Sequence, residues 1–253
     1  MMRLLWFFII PALLGGCSNP DFSNPATLDR ILKEAVAEGE LQERGPDENS
    51  PLYYLPNKQT PYSGWVKEMW DNGAVYELWE IKGGKKNGME ISWYESGQIK
   101  ESKNSKDGKL DGVLTMWHKN GQKEYEAVFK NDKQHGKGTG WHENGQVRAK
   151  GVHKNGKGNS TIWYSTGQKA SESNWKNDLL DDGIIWKPNG VKGSVVTNGN
   201  GKYIDWHENG QKKSEGNWKE GKLDGLIQNW DEDGKLVTEI TYKNGELISE
   251  KEF

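Results

Sequence analysis

The sequence predicts an all-β protein, an elongated and twisted antiparallel sheet of consecutive β-hairpin repeats with a short helix before it. Three observations carry that reading. A tryptophan stands four residues before a turn glycine at Trp93/Gly97, Trp117/Gly121, Trp141/Gly145, Trp163/Gly167, Trp186/Gly190, Trp206/Gly210 and Trp230/Gly234, with Trp70/Gly73 one residue tighter. Successive glycines lie 24, 24, 24, 22, 23, 20 and 24 residues apart, a period that marks a stacked array rather than one globular core. The composition agrees: 33% of residues are hydrophobic against 28% charged, which is too little apolar surface for a thick two-layer core. Thirteen tryptophans and 32 glycines suit a thin sheet instead, because each indole covers much surface and each hairpin needs a residue that tolerates positive φ.

Taken in order, the chain divides at 1–17, 18–61 and 62–253. The first segment has one basic residue, Arg3, then an apolar run from Leu4 to Leu14, then Leu14-Gly15-Gly16-Cys17. The run has the length of a signal-peptide core and is short for a bilayer span. Cys17 is the only cysteine, so no internal disulfide framework exists. Its surroundings resemble a bacterial lipoprotein box, which implies cleavage before Cys17, lipidation of that residue and a place in the cell envelope. Ser18 and Asn19 carry no aspartate retention signal, and by the same resemblance the outer membrane is the expected destination rather than the inner.

In the second segment Asn24 before Pro25 reads as an N-cap followed by proline at the first helical position. Leu28, Ile31, Leu32, Ala35 and Val36 then follow helical spacing and Gly39 ends it. Such a narrow apolar face can lie on a membrane, cap the first hairpin or stand in solvent; capping is preferred, because a repeat array needs its terminal edge covered. Gly45 to Ser50 reads as a linker. Tyr53-Tyr54-Leu55 and Tyr62 to Val66 read as the first strands, with Pro56 and Pro61 bounding the loop between them.

Within the array, about eight hairpins, Asn-Gly or its equivalent marks the turn at Asn72-Gly73, Asn120-Gly121, Asn144-Gly145, Asn209-Gly210 and Asp233-Gly234. A second glycine stands five residues before the tryptophan at Gly88, Gly112, Gly136, Gly158, Gly201 and Gly225. A third periodic position, eight residues after the turn glycine, carries Ile81, Phe129, His153, Trp175, Trp218 and Tyr242. A three-residue loop ending in a left-handed glycine puts this position on the same face as the repeat tryptophan, and a two-residue turn puts it on the other. The longer loop is favoured. Its expected result is one aromatic face and one polar face.

The string Trp93-Tyr94-Glu95-Ser96-Gly97-Gln98, its copies at Trp117–Gln122, Trp141–Gln146 and Trp206–Gln211, and the following Asp111-Gly112 and Asp224-Gly225 resemble the MORN-repeat variant. The resemblance spans about residues 62 to 250 and implies an elongated sheet of consecutive hairpins. It also implies a scaffold for proteins or a membrane platform, and some bacterial chains of this type are classed as the antitoxin part of a toxin pair. With a lipoprotein box, that role becomes an envelope-tethered immunity protein. The stretch Leu179 to Asn200 departs from the pattern, with Asp182-Gly183 only three residues before Trp186, so one hairpin there is expected to be shortened or kinked.

No catalytic motif is present: no cysteine follows Cys17, and Gly-x-Ser-x-Gly, a P-loop and His-Glu-x-x-His are all missing. The chain is expected to be neither an enzyme nor a holder of cofactor or metal. His118, His142 and His207 each follow a repeat tryptophan, but Tyr94 and Tyr164 hold that register elsewhere, so a zinc set is a poorer reading than a periodic strand position. A net charge of −3 with interspersed signs opposes nucleic-acid binding. The aromatics Trp70, Trp93, Trp117, Trp141, Trp163, Trp186, Trp206 and Trp230 can anchor a partner protein, stack on an envelope glycan, or pack only on each other. Periodicity favours packing. Recognition then falls to positions that vary between repeats: Tyr94, His118, His142, Tyr164 and His207 form the candidate binding surface, and the partner is an unknown protein, a toxin being one candidate. Charges at Glu246, Glu250, Lys251 and Glu252 oppose pairing at the C-terminal edge, and a monomer is expected.

Overall fold

A computed structural model describes residues 20–22, 24–45 and 52–253. The apolar leader, Cys17, Ser18, Asn19 and most of the Gly45–Ser50 linker lie outside the described residues. The described residues form consecutive antiparallel hairpins in long sheets, preceded by one α-helix, Pro25–Glu34. Among the described residues no helix is long and apolar enough to cross a membrane. Two compact units are distinguished, residues 1–114 with 130–132, and residues 115–129 with 133–253.

In the first unit the helix begins as its sequence dictates. The Asn24 side chain accepts from the Ala26 and Thr27 amides at 3.0 and 3.4 Å, and Pro25 occupies a position whose missing N–H is not needed. The helix stops earlier than the apolar spacing implies. Ala35 turns extended, Lys67 Nζ donates to the Leu32 carbonyl at 2.8 Å, and Val36-Ala37 pair in parallel with Val66-Lys67. Val36 is thus an edge-strand residue; its β-branched side chain favours the strand.

The preferred capping role of the helix holds in part of its detail. Ile31 and Ala35 are buried against Leu78, Ile91 and Trp93, with Phe22, Leu28, Leu32, Trp65, Val75 and Ile99 around them. The helix therefore covers one face of the first hairpins, while the Val36-Ala37 segment covers their edge. Leu52–Tyr54 is not a strand of the array, since it pairs with Gln42–Arg44; the array begins at Gly64–Met69. Tyr53, Tyr62 and Leu41 pack on the opposite face, over Val66, Trp79 and Ile81. Burial pushes the Tyr53 hydroxyl up to about 12, with the neighbouring Glu43 adding to it.

Two kinds of turn alternate along both units. In one, the amide of the residue after the tryptophan bonds the carbonyl four residues on, and the glycine amide bonds back, as in His118 N to Gln122 O and Gly121 N to His118 O, both 2.9 Å. This is the expected three-residue loop, with its glycine at φ near +84°. The other is a two-residue turn with both φ positive: Asp107-Gly108, Asn155-Gly156, Asn177-Asp178, Glu220-Gly221 and Asn244-Gly245. Asn and Asp serve here because their short side chains tolerate that conformation.

The expected single aromatic face is not what forms. Beside the pairs Trp93↔Ile99, Trp141↔Val147, Trp163↔Lys169, Trp186↔Lys192, Trp206↔Lys212 and Trp230↔Leu236 the register shifts by one residue. An added residue inverts the alternation of every side chain beyond it. The position eight after the turn glycine consequently pairs with the second glycine of the repeat, as Gly136↔His153, Gly158↔Trp175, Gly201↔Trp218 and Gly225↔Tyr242, and lies on the face opposite the repeat tryptophan. Each aromatic has a glycine across from it, so the ring meets no side chain there.

Trp70 also departs from its expected place. Met69 takes the paired position opposite Val75, and Trp70 stands one residue later, in the register of His118, with its ring edge-on to Tyr76 at 4.6 Å. Ile31, with no exposed surface, locks the helix to the sheet. Ile31→Ala is expected to lower the unfolding free energy of the first unit by about 2–5 kcal/mol, measured by chemical denaturation of the full chain.

Candidate functional site

The repeat string Trp-x-x-Asn-Gly-Gln is where the sequence concentrates its information, and each letter has a separate physical task. The tryptophan ring is large and flat, and in the second unit lysine ammonium groups sit over it: Lys123 over Trp141 at 5.8 Å, Lys169 over Trp186 at 5.2 Å, Lys187 over Trp206 at 4.4 Å and Lys212 over Trp230 at 4.7 Å. Trp93, beneath the helix in the first unit, is 7% exposed, whereas Trp117, Trp141, Trp163, Trp186, Trp206 and Trp230 are half-buried. These rings pack sideways on neighbouring hairpins and under lysine stems, which hold the charged heads in water.

The residue after the tryptophan reaches to the next hairpin. His118 Nε2 lies 2.9 Å from the Trp141 carbonyl, His142 Nε2 2.9 Å from that of Trp163, and His207 Nε2 2.8 Å from that of Trp230. Tyr164 donates its hydroxyl to the Trp186 carbonyl at 2.8 Å. A carbonyl only accepts, so each Nε2 must carry the hydrogen. Histidine and tyrosine alternate at this register because both place a donor at the same reach. Burial pushes the Tyr164 hydroxyl up to about 12, with Asp205 and Glu208 adding to it, and it stays a donor throughout the neutral range. Tyr94 holds the corresponding place in the first unit, with its amide bonded to the Gln98 carbonyl at 2.8 Å. The three histidines stand in separate rungs, with the Tyr164 and Lys187 hairpins between His142 and His207, and not in one ligand shell. Among the described residues no group of three His, Cys, Asp or Glu side chains is placed to hold a metal ion.

The asparagine does two things at once. Its Oδ1 accepts the amide two residues on, as from Gln122 to Asn120 at 3.0 Å and Gln211 to Asn209 at 2.9 Å. Its Nδ2 meanwhile donates to the next turn: Asn120 to the Glu143 carbonyl at 2.7 Å, Asn144 to Ser165 at 3.1 Å, Asn209 to Glu232 at 2.7 Å. The glutamine then lies over the following turn glycine. A Cβ built on Gly145 would stand 2.7 Å from Gln122 Oε1, and one on Gly167 3.2 Å from Gln146 Oε1. The positive φ demands glycine, and the glutamine tip closes over the space that its missing side chain leaves.

The ladder is broken once, in the stretch whose sequence departs from the pattern. Strands Lys192–Val196 and Gly201–Trp206 are joined by the bridge Thr197↔Asn200, and the Ser194 hydroxyl accepts the Ile204 amide at 3.0 Å in place of a backbone rung. Glu208 reaches past the Lys187–Gly190 turn to take the Ser165 amide at 2.7 Å and the Ser165 hydroxyl. The Ser165 hydroxyl and amide hold the Glu208 carboxyl below its ordinary range. The shortened hairpin also brings Trp175 and Trp218 edge to face at 6.2 Å.

The first unit carries a different cluster, which sequence reading did not single out. Glu90 is 3% exposed, 2.9 Å from Lys86 Nζ, 3.8 Å from Lys103 Nζ and in hydrogen-bond contact with Ser105. Lys103 also bonds Glu101 at 2.8 Å. The buried carboxylate is compensated by two ammonium groups and a hydroxyl, the condition for keeping a charge inside. Glutamate and lysine at alternating strand positions carry no signal that one pair will be covered, so only the packing exposes this cluster.

Compared with known families, residues 86–107, 110–131, 134–155, 199–220 and 223–244 match the model described as MORN repeat variant. The matched segments bracket residues 156–198, which contain the broken stretch. The comparison with curated proteins found no match.

The rung made by His142 predicts a specific substitution pattern. His142→Leu is expected to lose about 1 kcal/mol of stability, whereas His142→Tyr, which repeats the Tyr164 arrangement, retains most of it; denaturant titration of the three proteins decides. For Glu208 the sign follows from its lowered value. Its contribution is complete above its unfolded value near 4.5 and is lost as pH falls through the lower folded value. Glu208→Gln is therefore expected to melt below the parent protein at pH 7 and with it in strong acid, as read by thermal unfolding across pH.

Proposed function

We propose that this chain is a non-enzymatic repeat scaffold, tethered to the cell envelope through a lipid on Cys17, that holds a partner protein against its hairpin sheets. MORN repeats generally serve as protein- or membrane-binding scaffolds, and five of them make up much of this chain. The observation that carries the reading is the consumption of the repeat's own functional groups: histidine, tyrosine and asparagine tips bond the next hairpin. Recognition is then the task of side chains that differ between hairpins. In the second unit Val128, Val152, Ile162, Val195 and Leu226 are 40–46% exposed on the strands. Exposed aliphatics on rigid elements favour a protein partner over a charged polymer.

Within this reading the candidate surface of Tyr94, His118, His142 and His207 contributes ring faces rather than polar tips; Tyr164, named with them from the sequence, is only 6% exposed and serves packing instead. The partner is a toxin and the chain its immunity component, standing at the outer membrane as one monomer per toxin. The lipid anchor and the stacked hairpins are compatible with that arrangement, because a single acyl-bearing terminus leaves the array free to face its partner.

Two measurements test the reading. Affinity capture with the full chain from envelope and secreted fractions is expected to retain one stoichiometric protein, and Val152→Glu is expected to weaken that capture at least tenfold; retention of no protein above a bare-matrix control contradicts it. Cys17→Ser is expected to shift the chain from the membrane pellet to the soluble fraction, and persistence in the pellet contradicts the anchor.

A further inference from the structure

The second unit contains a hollow of about 320 Å³ lined by Gln134, Val152, His153, Asn159, Ser160, Trp175 and Asp178 over a floor at Gly151. We propose that this hollow is a binding site for a neutral hexopyranose unit of a glycan. The volume lies at the small end of ligand pockets, about 300–1,000 Å³, which suits one sugar ring with accompanying water.

The hollow exists because two facing positions carry no side chain here, beside the regular glycine, Gly158. Gly151 stands six residues after its turn glycine, where Lys103, Ala127, Ser173, Val196 and Ile240 stand in other hairpins; glycine recurs there at Gly216, but Tyr203 and Ile227 fill the space over it. Gly138 pairs with Gly151, so two adjoining strands carry no side chain at the centre of this face. Gly158 pairs with His153 on one side and Trp175 on the other, separating the two rings by a strand that carries no side chain between them. The site sits where a matched repeat, 134–155, gives way to the unmatched stretch, so it is not a property of every repeat.

Its chemistry is mixed in the manner a sugar requires. Trp175 is fixed on one side by Trp218 and through Nε1 by the Ser173 hydroxyl at 3.0 Å. Ser173 in turn meets the Ser160 hydroxyl at 2.7 Å. The indole is therefore a held platform on which the C–H face of a pyranose can stack. Around it stand the Asp178 carboxylate, the Gln134 amide, the Ser160 hydroxyl and the His153 imidazole, which supply both donors and acceptors for ring hydroxyls, while Asn159 borders the floor through its main-chain carbonyl. Asp178 is 77% exposed and meets His153 Nε2 at 3.4 Å, a long contact that leaves its acceptor capacity turned to solvent. No lysine or arginine lines the hollow among the described residues, which disfavours a phosphate or carboxylate ligand.

Saturation-transfer NMR on the purified full chain in detergent, with methyl β-glucoside, cellobiose and chitobiose as probes, tests the assignment. At least one probe is expected to give saturable binding with a millimolar dissociation constant. Trp175→Leu is expected to abolish it, and Asp178→Asn, which keeps a residue tolerant of the positive φ at that turn, to weaken it about fivefold. Circular dichroism verifies that each variant folds, and Asp178→Asn decides if Trp175→Leu does not. Absence of saturable transfer from all three sugars, or undiminished binding in the folded variants, overturns the proposal. Protein capture by Asp178→Asn is expected to equal that of the parent chain, which separates this site from the scaffold reading.

Discussion

The structure depends on one interaction, the hydrogen bond from a side chain in one turn to the main chain of the next. A hairpin sheet this thin buries few residues completely, and those few, such as Ile31, Leu78 and Trp79, cluster in the first unit. Beyond them, hairpins are held by the backbone ladder along the strands and by rungs at the turns. His118, His142, Tyr164 and His207 each donate to a tryptophan carbonyl one hairpin on, and Asn120, Asn144 and Asn209 each donate to a turn carbonyl beside it. Every rung satisfies a main-chain acceptor at a loop, where ladder partners run out. The spacing of 20 to 24 residues between turn glycines follows from this, since each donor must meet the same carbonyl one hairpin later.

The tryptophans are the counterpart of those bonds rather than an independent core. A half-buried indole offers area to the neighbouring hairpin and a negative face to the lysine above it. Helix Pro25–Glu34 performs for Trp93 what the lysines perform for Trp141, Trp186, Trp206 and Trp230. The two devices differ in consequence. A helix seals its face with apolar contact, while lysine stems leave a face that is charged and accessible. The composition, low in aliphatics and high in lysine and glutamate, is what such a solution looks like in sequence.

Departures from periodicity mark where the chain does something other than stack. Between Lys192 and Trp206 a serine hydroxyl replaces a backbone rung, Glu208 spans an intervening turn, and Trp175 meets Trp218. The glycine-floored hollow beside Trp175 adjoins this break. Regular repeats fill their faces uniformly. A cavity needs a missing side chain that no neighbour replaces; Gly151 faces Gly138, whereas Gly216 in the same row is covered by Tyr203 and Ile227.

The sequence alone determined the hairpin class, the turn positions, the left-handed glycines and the cap at Asn24, because each depends on residues within one turn of the chain. The expected interruption near 179–200 was legible for the same reason, as a local change of spacing. Tertiary structure decided the rest. The one-residue bulge beside each repeat tryptophan, which sends Trp175 and Trp218 to the face opposite Trp163 and Trp206, has no residue signature, because Lys100, Arg148, Ala170 and Lys213 all occupy it. The end of the helix before Val36 was set by a strand partner at Val66, thirty residues away. The roles of His118, His142 and His207 waited on the position of a carbonyl in the next hairpin, and a donor's partner across hairpins is a matter of register, which a string of residues does not contain.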